Sequence, residues 1–243
     1  MRSFGSELTA MLNAKRAPIL VVAALSYELR KLNSIAHAGF VLLETGEGIQ
    51  NAKRRLEAWL ERNDVRAVLS IGFAGGLSLS LQAGDIVVAR EVRDSEARPD
   101  PTLLSAAEEL RLGFPVRFGV AVTSSEIVWQ SASKRTLAAS LGENEVGFVD
   151  MESTAIAGVC ASRGLPFLIA RSITDALDED LPLDFNLYRN QDSRVDSGKV
   201  MRATLRNPLL IKGLLELRKR SNLCADRMAE FVIGLSETLD GAT

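Results

Sequence analysis

Residues 147–175 read GFVDMESTAIAGVCASRGLPFLIARSITD, and this stretch decides the fold. A short apolar run, GFVDM (147–151), leads into a helix made largely of small apolar residues, ESTAIAGVCASRG (152–164). The helix stops at Gly164-Leu165-Pro166, since glycine suits a helix end and proline cannot extend the hydrogen-bond ladder. A second apolar run, PFLIARSIT (166–174), follows at once. Strands this continuously apolar, separated by a helix, belong to an α/β sheet covered on both faces.

The same alternation extends upstream. PILVVAAL (18–25) predicts a first buried strand, followed by a helix-like SYELRKL. FVLLETG (40–46) predicts a second, turning through GEG into the amphipathic helix IQNAKRRLEAWLERN (49–63). AVLSIG (67–72) is a third and runs into FAGGLS, and DIVVAREV (85–92) is a fourth. A helix near PTLLSAAEELRL precedes the strand VRFGVAVTSS (116–125). After the last core strand, residues 176–200 are polar and irregular and suit a surface loop or lid, and two helices, about 207–220 and 223–238, close the chain. No repeat or linker divides it, so the expectation is one α/β domain over 1–243 with a short polar lead-in at 1–17.

Composition excludes several classes. The 243 residues carry a net charge of −2 with acids and bases mixed along the chain, which offers no basic stripe for nucleic acid. No apolar run reaches the roughly 20 residues that cross a bilayer, and the N-terminus lacks a signal-peptide core, so a cytoplasmic location is expected. Cys160 and Cys224 have no metal-ligand spacing and read as reduced thiols. The single histidine, His37, lies in a polar stretch between elements, so triads and metal sites built on histidine are not expected. Acid–base chemistry then falls to carboxylates, with no metal and no cofactor.

In open α/β sheets ligands bind beyond the carboxyl ends of strands, and four stretches fall there. Glu28 follows the first strand and reads either as a solvated helical acid or as a site residue. GFAGGL (72–77) carries three glycines, which allow close backbone approach to a ligand or a tight strand-to-helix turn. Arg171, inside an apolar strand, needs a partner because an unpaired buried charge is costly; with Asp175 it fits a structural ion pair or a polar site equally. Glu152 falls in the first helical turn, where the dipole favours an anion. Asp150 reads as a cap and Met151 as core, unless the two carboxylates meet partners from elsewhere, such as ligand hydroxyls.

Together the elements VVAALSYEL, TGEGIQNA, SIGFAGGLSLSLQAGDIVVA and VDMESTAIAGVCASRGLPFLIARSITD resemble, in order, the nucleoside phosphorylase/nucleosidase family, most closely its methylthioadenosine/S-adenosylhomocysteine nucleosidase branch. The resemblance implies a phosphorylase/hydrolase-like three-layer sandwich around a twisted, mostly parallel sheet. It implies cleavage of the N-glycosidic bond of a purine nucleoside by a homodimer or higher homo-oligomer. By position Glu28 resembles the acid that activates water, Asp175 the group that protonates the purine, and Arg171 the arginine near the nucleophile. Met151 and Glu152 resemble the ribose pair, and Phe73, Ala74, Gly75, Trp129 and Thr174 fall at substrate-facing positions. Two departures stand out. Phe73 replaces a small hydroxyl residue, and the base-proximal TSSEIVWQSASKR (123–135) matches loosely, with Trp129 or Ile127 placed either to stack on the base or in the core.

Phosphorylases of the family carry phosphate arginines, one in an element after the first strand that reads AALSYELRK here, and Ser70 stands where another would be expected. Water is therefore the expected nucleophile and phosphate the alternative, with Arg30, Lys53 or Arg54 available to an anion. The 176–200 segment and the basic NPLLIKGLLELRKR resemble a subgroup associated with hopanoid lipid biosynthesis, whose substrate is an adenosyl-linked hydrocarbon. A catalytically inactive nucleoside-binding protein is the reading from another class.

Overall fold

A computed structural model describes residues 17–34, 39–190 and 194–241. The expected lead-in, apart from residue 17, and His37 lie outside them. In chain order the elements are β1 (Ile19–Ala23), α1 (Ser26–Leu29), β2 (Phe40–Glu44), α2 (Ile49–Leu60), β3 (Ala67–Ser70), β4 (Phe73–Gly76) and β5 (Ile86–Val92). They continue as α3 (Pro101–Glu109), β6 (Val116–Thr123), α4 (Ser131–Ala138), β7 (Gly147–Asp150), α5 (Ser153–Ser162), β8 (Phe167–Asp175), α6 (Ser197–Arg206) and α7 (Leu210–Gly241).

The strands form one eight-stranded sheet in the order β2-β1-β3-β8-β4-β7-β6-β5, and β5 also pairs back onto β8. Most pairings are parallel; β4–β7 and β5–β8 are antiparallel. The sheet thus closes on itself through β8, β4, β7, β6 and β5, while β3, β1 and β2 extend it from β8. All nine residues of β8 are buried, because it pairs with β3, β4 and β5 at once. This accounts for the unbroken apolar run PFLIA: a strand enclosed on every side has no polar face to show.

Two apolar cores flank the sheet. One gathers Leu56 of α2 and Ile156 of α5 against Leu20, Val68 and Ile169. The other gathers Leu103 of α3 and Phe231 of α7 against Val21, Leu69 and Leu168. Cys160 and Cys224 are buried free thiols, and burial pushes them up to about 12 and about 11.

Three expectations are corrected, for FAGG, for the C-terminal helices and for the end of the 176–200 segment. FAGG is a strand, β4, rather than a turn: its glycines pack so tightly that a Cβ on Gly75 would lie 3.3 Å from both Asp175 Oδ2 and Val149 Cγ1. The base-proximal segment becomes helical from Ser131. The C-terminal helices break at Asn207–Leu209, where Pro208 interrupts hydrogen bonding, not near residue 221, and α7 then runs unbroken from Leu210 to Gly241. The end of the irregular 176–200 segment belongs to α6, whose start is fixed by Asp196 accepting from the Gly198 and Lys199 amides.

Candidate active site

The carboxyl ends of β1, β7 and β8 and residues Phe73–Gly75 of β4 meet around a cavity of about 170 Å³. Glu28, Phe73, Met151, Glu152, Thr174 and Asp175 line it, together with Ala74 and Gly75. Each carboxylate is held by partners distant in the chain.

Glu28 sits on the four-residue α1, directly after β1. Only 6% exposed, it accepts the Phe73 amide at Oε1 (2.8 Å) and the Leu25 amide at Oε2 (2.9 Å). A Cβ on Gly72 would come within 2.9 Å of Oε1, so only glycine admits this placement. Burial pushes Glu28 up to about 7, with the two amides and Arg171 pulling the other way. A carboxylate poised near neutrality is suited to taking a proton from water.

Glu152 forms the N-cap position of α5, and its Oε1 accepts the Gly48 amide at 2.6 Å. Gly48 has φ +87°, a conformation that glycine adopts without strain, and this turn aims the amide at the acid. Burial first, and then the neighbouring Asp150, push Glu152 up to about 8. Its carboxyl group lines the cavity with hydrogen-bonding capacity left for a vicinal diol.

Behind these lies a buried ion pair. Arg171 meets Asp150 Oδ2 at 2.8 Å and also donates to the Ser70 carbonyl and hydroxyl, both at 3.1 Å. Asp150 accepts the Ser153 amide at 3.2 Å and the Ser153 hydroxyl, so it caps α5 while neutralising the arginine. The sequence left Arg171 and Asp175 as possible partners; the structure pairs Arg171 with Asp150 instead. Arg171 does not line the main cavity; it shares with Glu152 only the lining of a narrow crevice.

Asp175 has its own cation, one the sequence reading missed. Lys134 of α4 is completely buried, and its Nζ lies 2.6 Å from Asp175 Oδ2 and also donates to the Ala176 carbonyl. The Thr174 hydroxyl donates to Oδ1 at 2.7 Å. Burial raises Asp175 and Lys134 opposes the rise. The two effects are opposed by design of the site: burial favours holding a proton, and the ammonium stabilises the carboxylate left once the proton departs.

A family model described as the phosphorylase superfamily matches residues 33–206. The chain belongs to the phosphorylase superfamily. Among relatives, a 5′-methylthioadenosine/S-adenosylhomocysteine nucleosidase of Exiguobacterium sp. is 29% identical over 189 residues, covering 68% of this chain and 80% of that one. The enzyme of the same description from Haemophilus influenzae is 28% identical over 216 residues, covering 80% and 92%. In three dimensions the chain is similar to a nucleosidase from Neisseria meningitidis in complex with methylthio-immucillin-A, with TM-score 0.67 at 20% identity over 90% of this chain and 98% of that one. It is equally similar to the futalosine hydrolase of Helicobacter pylori, with TM-score 0.70 at 16% identity over 92% and 98%.

Within this phosphorylase superfamily chain, most residues singled out from sequence do gather at one cavity. Trp129 does not line it: Ile127 and Val128 take that wall, and the Trp129 carbonyl accepts the Leu181 amide at 2.8 Å. Phe73 packs edge-on against Tyr27 with ring centroids 6.2 Å apart. Glu47 also lines the cavity; burial raises it, and it accepts the Val195 amide at 3.2 Å. Arg30 lies over the Tyr27 ring and bonds Asn222, away from the carboxylates. Among the described residues no group of three or more His, Cys, Asp and Glu is arranged to hold a metal ion.

Proposed function

We propose that this phosphorylase superfamily member hydrolyses the N-glycosidic bond of an adenosyl-type purine nucleoside and releases adenine. The observation that carries the reading is the convergence of Glu28, Glu152 and Asp175 on one cavity, each raised by burial. As the bond to the purine lengthens, positive charge builds on the ribose, and buried carboxylates nearby stabilise it. Glu152 holds the sugar hydroxyls and Met151 offers the ring an apolar surface. Glu28 removes a proton from the water that attacks the anomeric carbon. Asp175 gives its proton to the departing purine nitrogen, and Lys134 stabilises the resulting carboxylate. Water adds across the C–N bond, and solvent exchange returns both carboxyl groups to their starting protonation.

Apolar side chains of Leu25, Phe73, Ile127, Val128 and Leu181 line the rest of the cavity and suit an uncharged 5′ substituent, up to an adenosyl-linked hydrocarbon. The two cores on opposite faces of the sheet support a three-layer, single-domain arrangement; the described part of 176–200, which places Leu181 in the cavity, is the cover of the site, and a homo-oligomer is the working form. Phosphate as nucleophile is the second reading. It is favoured by a separate cavity of about 180 Å³ beside the Thr45–Gly46 turn, lined by Arg54, Arg55 and Arg194. Adenine release from methylthioadenosine, S-adenosylhomocysteine and an adenosyl-alkane, measured with and without phosphate, separates the readings. Phosphate-independent release supports hydrolysis. Release only with phosphate supports the second reading, and binding with no release under either condition overturns both.

A further inference from the structure

We propose that the segment 197–220 is a docking surface for an anionic phospholipid bilayer. Helix α6 has no buried residue, and the exposed large apolar side chains of the protein concentrate here: Met201 is 60% exposed, Leu205 76%, Leu209 88% and Leu215 55%. Met201 and Leu205, one turn apart, share a face of α6, and Ile211 and Leu215 share a face of α7. An isolated exposed leucine is ordinary; a chain-contiguous set on two successive helices marks an interaction surface.

Charge identifies the partner. Seven residues between 197 and 220 are lysine or arginine and one, Glu216, is acidic. That is +6 for the segment against −2 for the whole chain, which leaves −8 for the remainder. Among the described residues, Arg202, Arg206, Lys212 and Arg218 form no ion pair. Apolar side chains interleaved with cations are the composition of a helix lying in a membrane interface, its aliphatic side chains in the acyl boundary and its cations among anionic headgroups. A second copy fits poorly, since a two-fold interface would bring the +6 segment against itself. Nucleic acid fits poorly too, because the segment has no aromatic side chain for base stacking. No helix among the described residues is long and apolar enough to cross a membrane, so the contact is peripheral. The surface also borders the catalytic cavity: Gly213, Glu216, Leu217 and Arg220 line a cavity of about 350 Å³ that Thr174 and Asp175 share.

The test is co-sedimentation of the full chain with vesicles of phosphatidylcholine alone or mixed with phosphatidylglycerol, beside size-exclusion chromatography with light scattering. Binding is expected only with phosphatidylglycerol. It should fall about tenfold in Leu205→Glu/Leu209→Glu, in Arg202→Gln/Arg206→Gln and at high salt, with turnover of a soluble nucleoside unchanged. Equal binding to both vesicle types, or none, overturns the proposal. So does a Leu205→Glu/Leu209→Glu protein that loses its oligomeric state while still binding vesicles, which would assign the patch to a second copy. Capture of the wild type on a nucleic acid column but not on vesicles overturns it as well.

Discussion

Replacing Lys134 by methionine keeps most of the side-chain volume and removes one charge from a position with no solvent exposure. The ammonium lost from its place 2.6 Å from Asp175 leaves a buried carboxylate without its cation. Breaking a buried pair from one side costs about 3–5 kcal/mol, which for a chain of this size lowers Tm on the order of 10 °C. The sign of the pH dependence follows from Asp175, which is already raised by burial. A carboxyl group that binds its proton more tightly folded than unfolded loses stability as pH rises from the unfolded value through the folded one. Without Lys134 the folded value climbs further, so the gap to wild type widens from an acidic pH, below the unfolded value, to a neutral one. Urea unfolding at both pH values measures it. The basic limb of adenine release should move to higher pH while its plateau falls, because Asp175 keeps its proton longer but gives it up less readily. A stability gap that is the same at both pH values, or smaller than about 1 kcal/mol, would refute the pairing as the control of Asp175.

Glu28→Gln should abolish turnover while leaving the protein folded. In the wild type the acidic limb of turnover should lie near pH 7, where Glu28 must ionise to accept a proton. Raising Glu28 from 4.5 to about 7 costs the ionised form on the order of 3 kcal/mol, so urea unfolding should find wild-type stability falling as pH rises through that interval. Gly72→Ala forces Glu28 Oε1 away from a contact of 2.9 Å and should cut kcat on the order of a hundredfold, with circular dichroism little changed. Glu152→Ala should raise KM and lower kcat together in steady-state assays, since the sugar contact strengthens as the ribose becomes cationic. A loss confined to KM would assign it to ground-state binding alone.

Much of this was legible in the sequence, for identifiable reasons. Buried parallel strands announce themselves as unbroken Val, Ile and Leu runs, so β1, β3 and β8 could be located within a residue or two. Strand-end acids such as Glu28, Glu152 and Asp175 stand out against that apolar background. Partnerships were not legible, because charge pairing ignores chain distance. Lys134 lies in SASKRTLA, a polar octet indistinguishable from a solvated helix until α4 packs it behind Asp175, 41 residues away. Arg171 was known to need a partner, but only Asp175 was weighed; Asp150 reaches it because β7 lies two places from β8 in the sheet. β4 was hidden for a different reason: its glycines make a strand only because Val149 and Asp175 press on it from both sides.

β8 carries Arg171, Thr174 and Asp175, and it is the strand most enclosed by others. Amide hydrogens there can exchange with solvent only when the whole sheet opens, so their protection should report global stability. Thr174 and Asp175, which line the cavity and are proposed to meet the purine end of the substrate, are therefore as rigid as the protein can make them. Whatever adjustment binding demands must come from the other walls, among them the segment after Asp175 that places Leu181 in the cavity. Deuterium uptake should divide at Asp175, with slow exchange along β8 and fast exchange in the segment 176–190 that follows it, and a nucleoside analogue should slow only the second part.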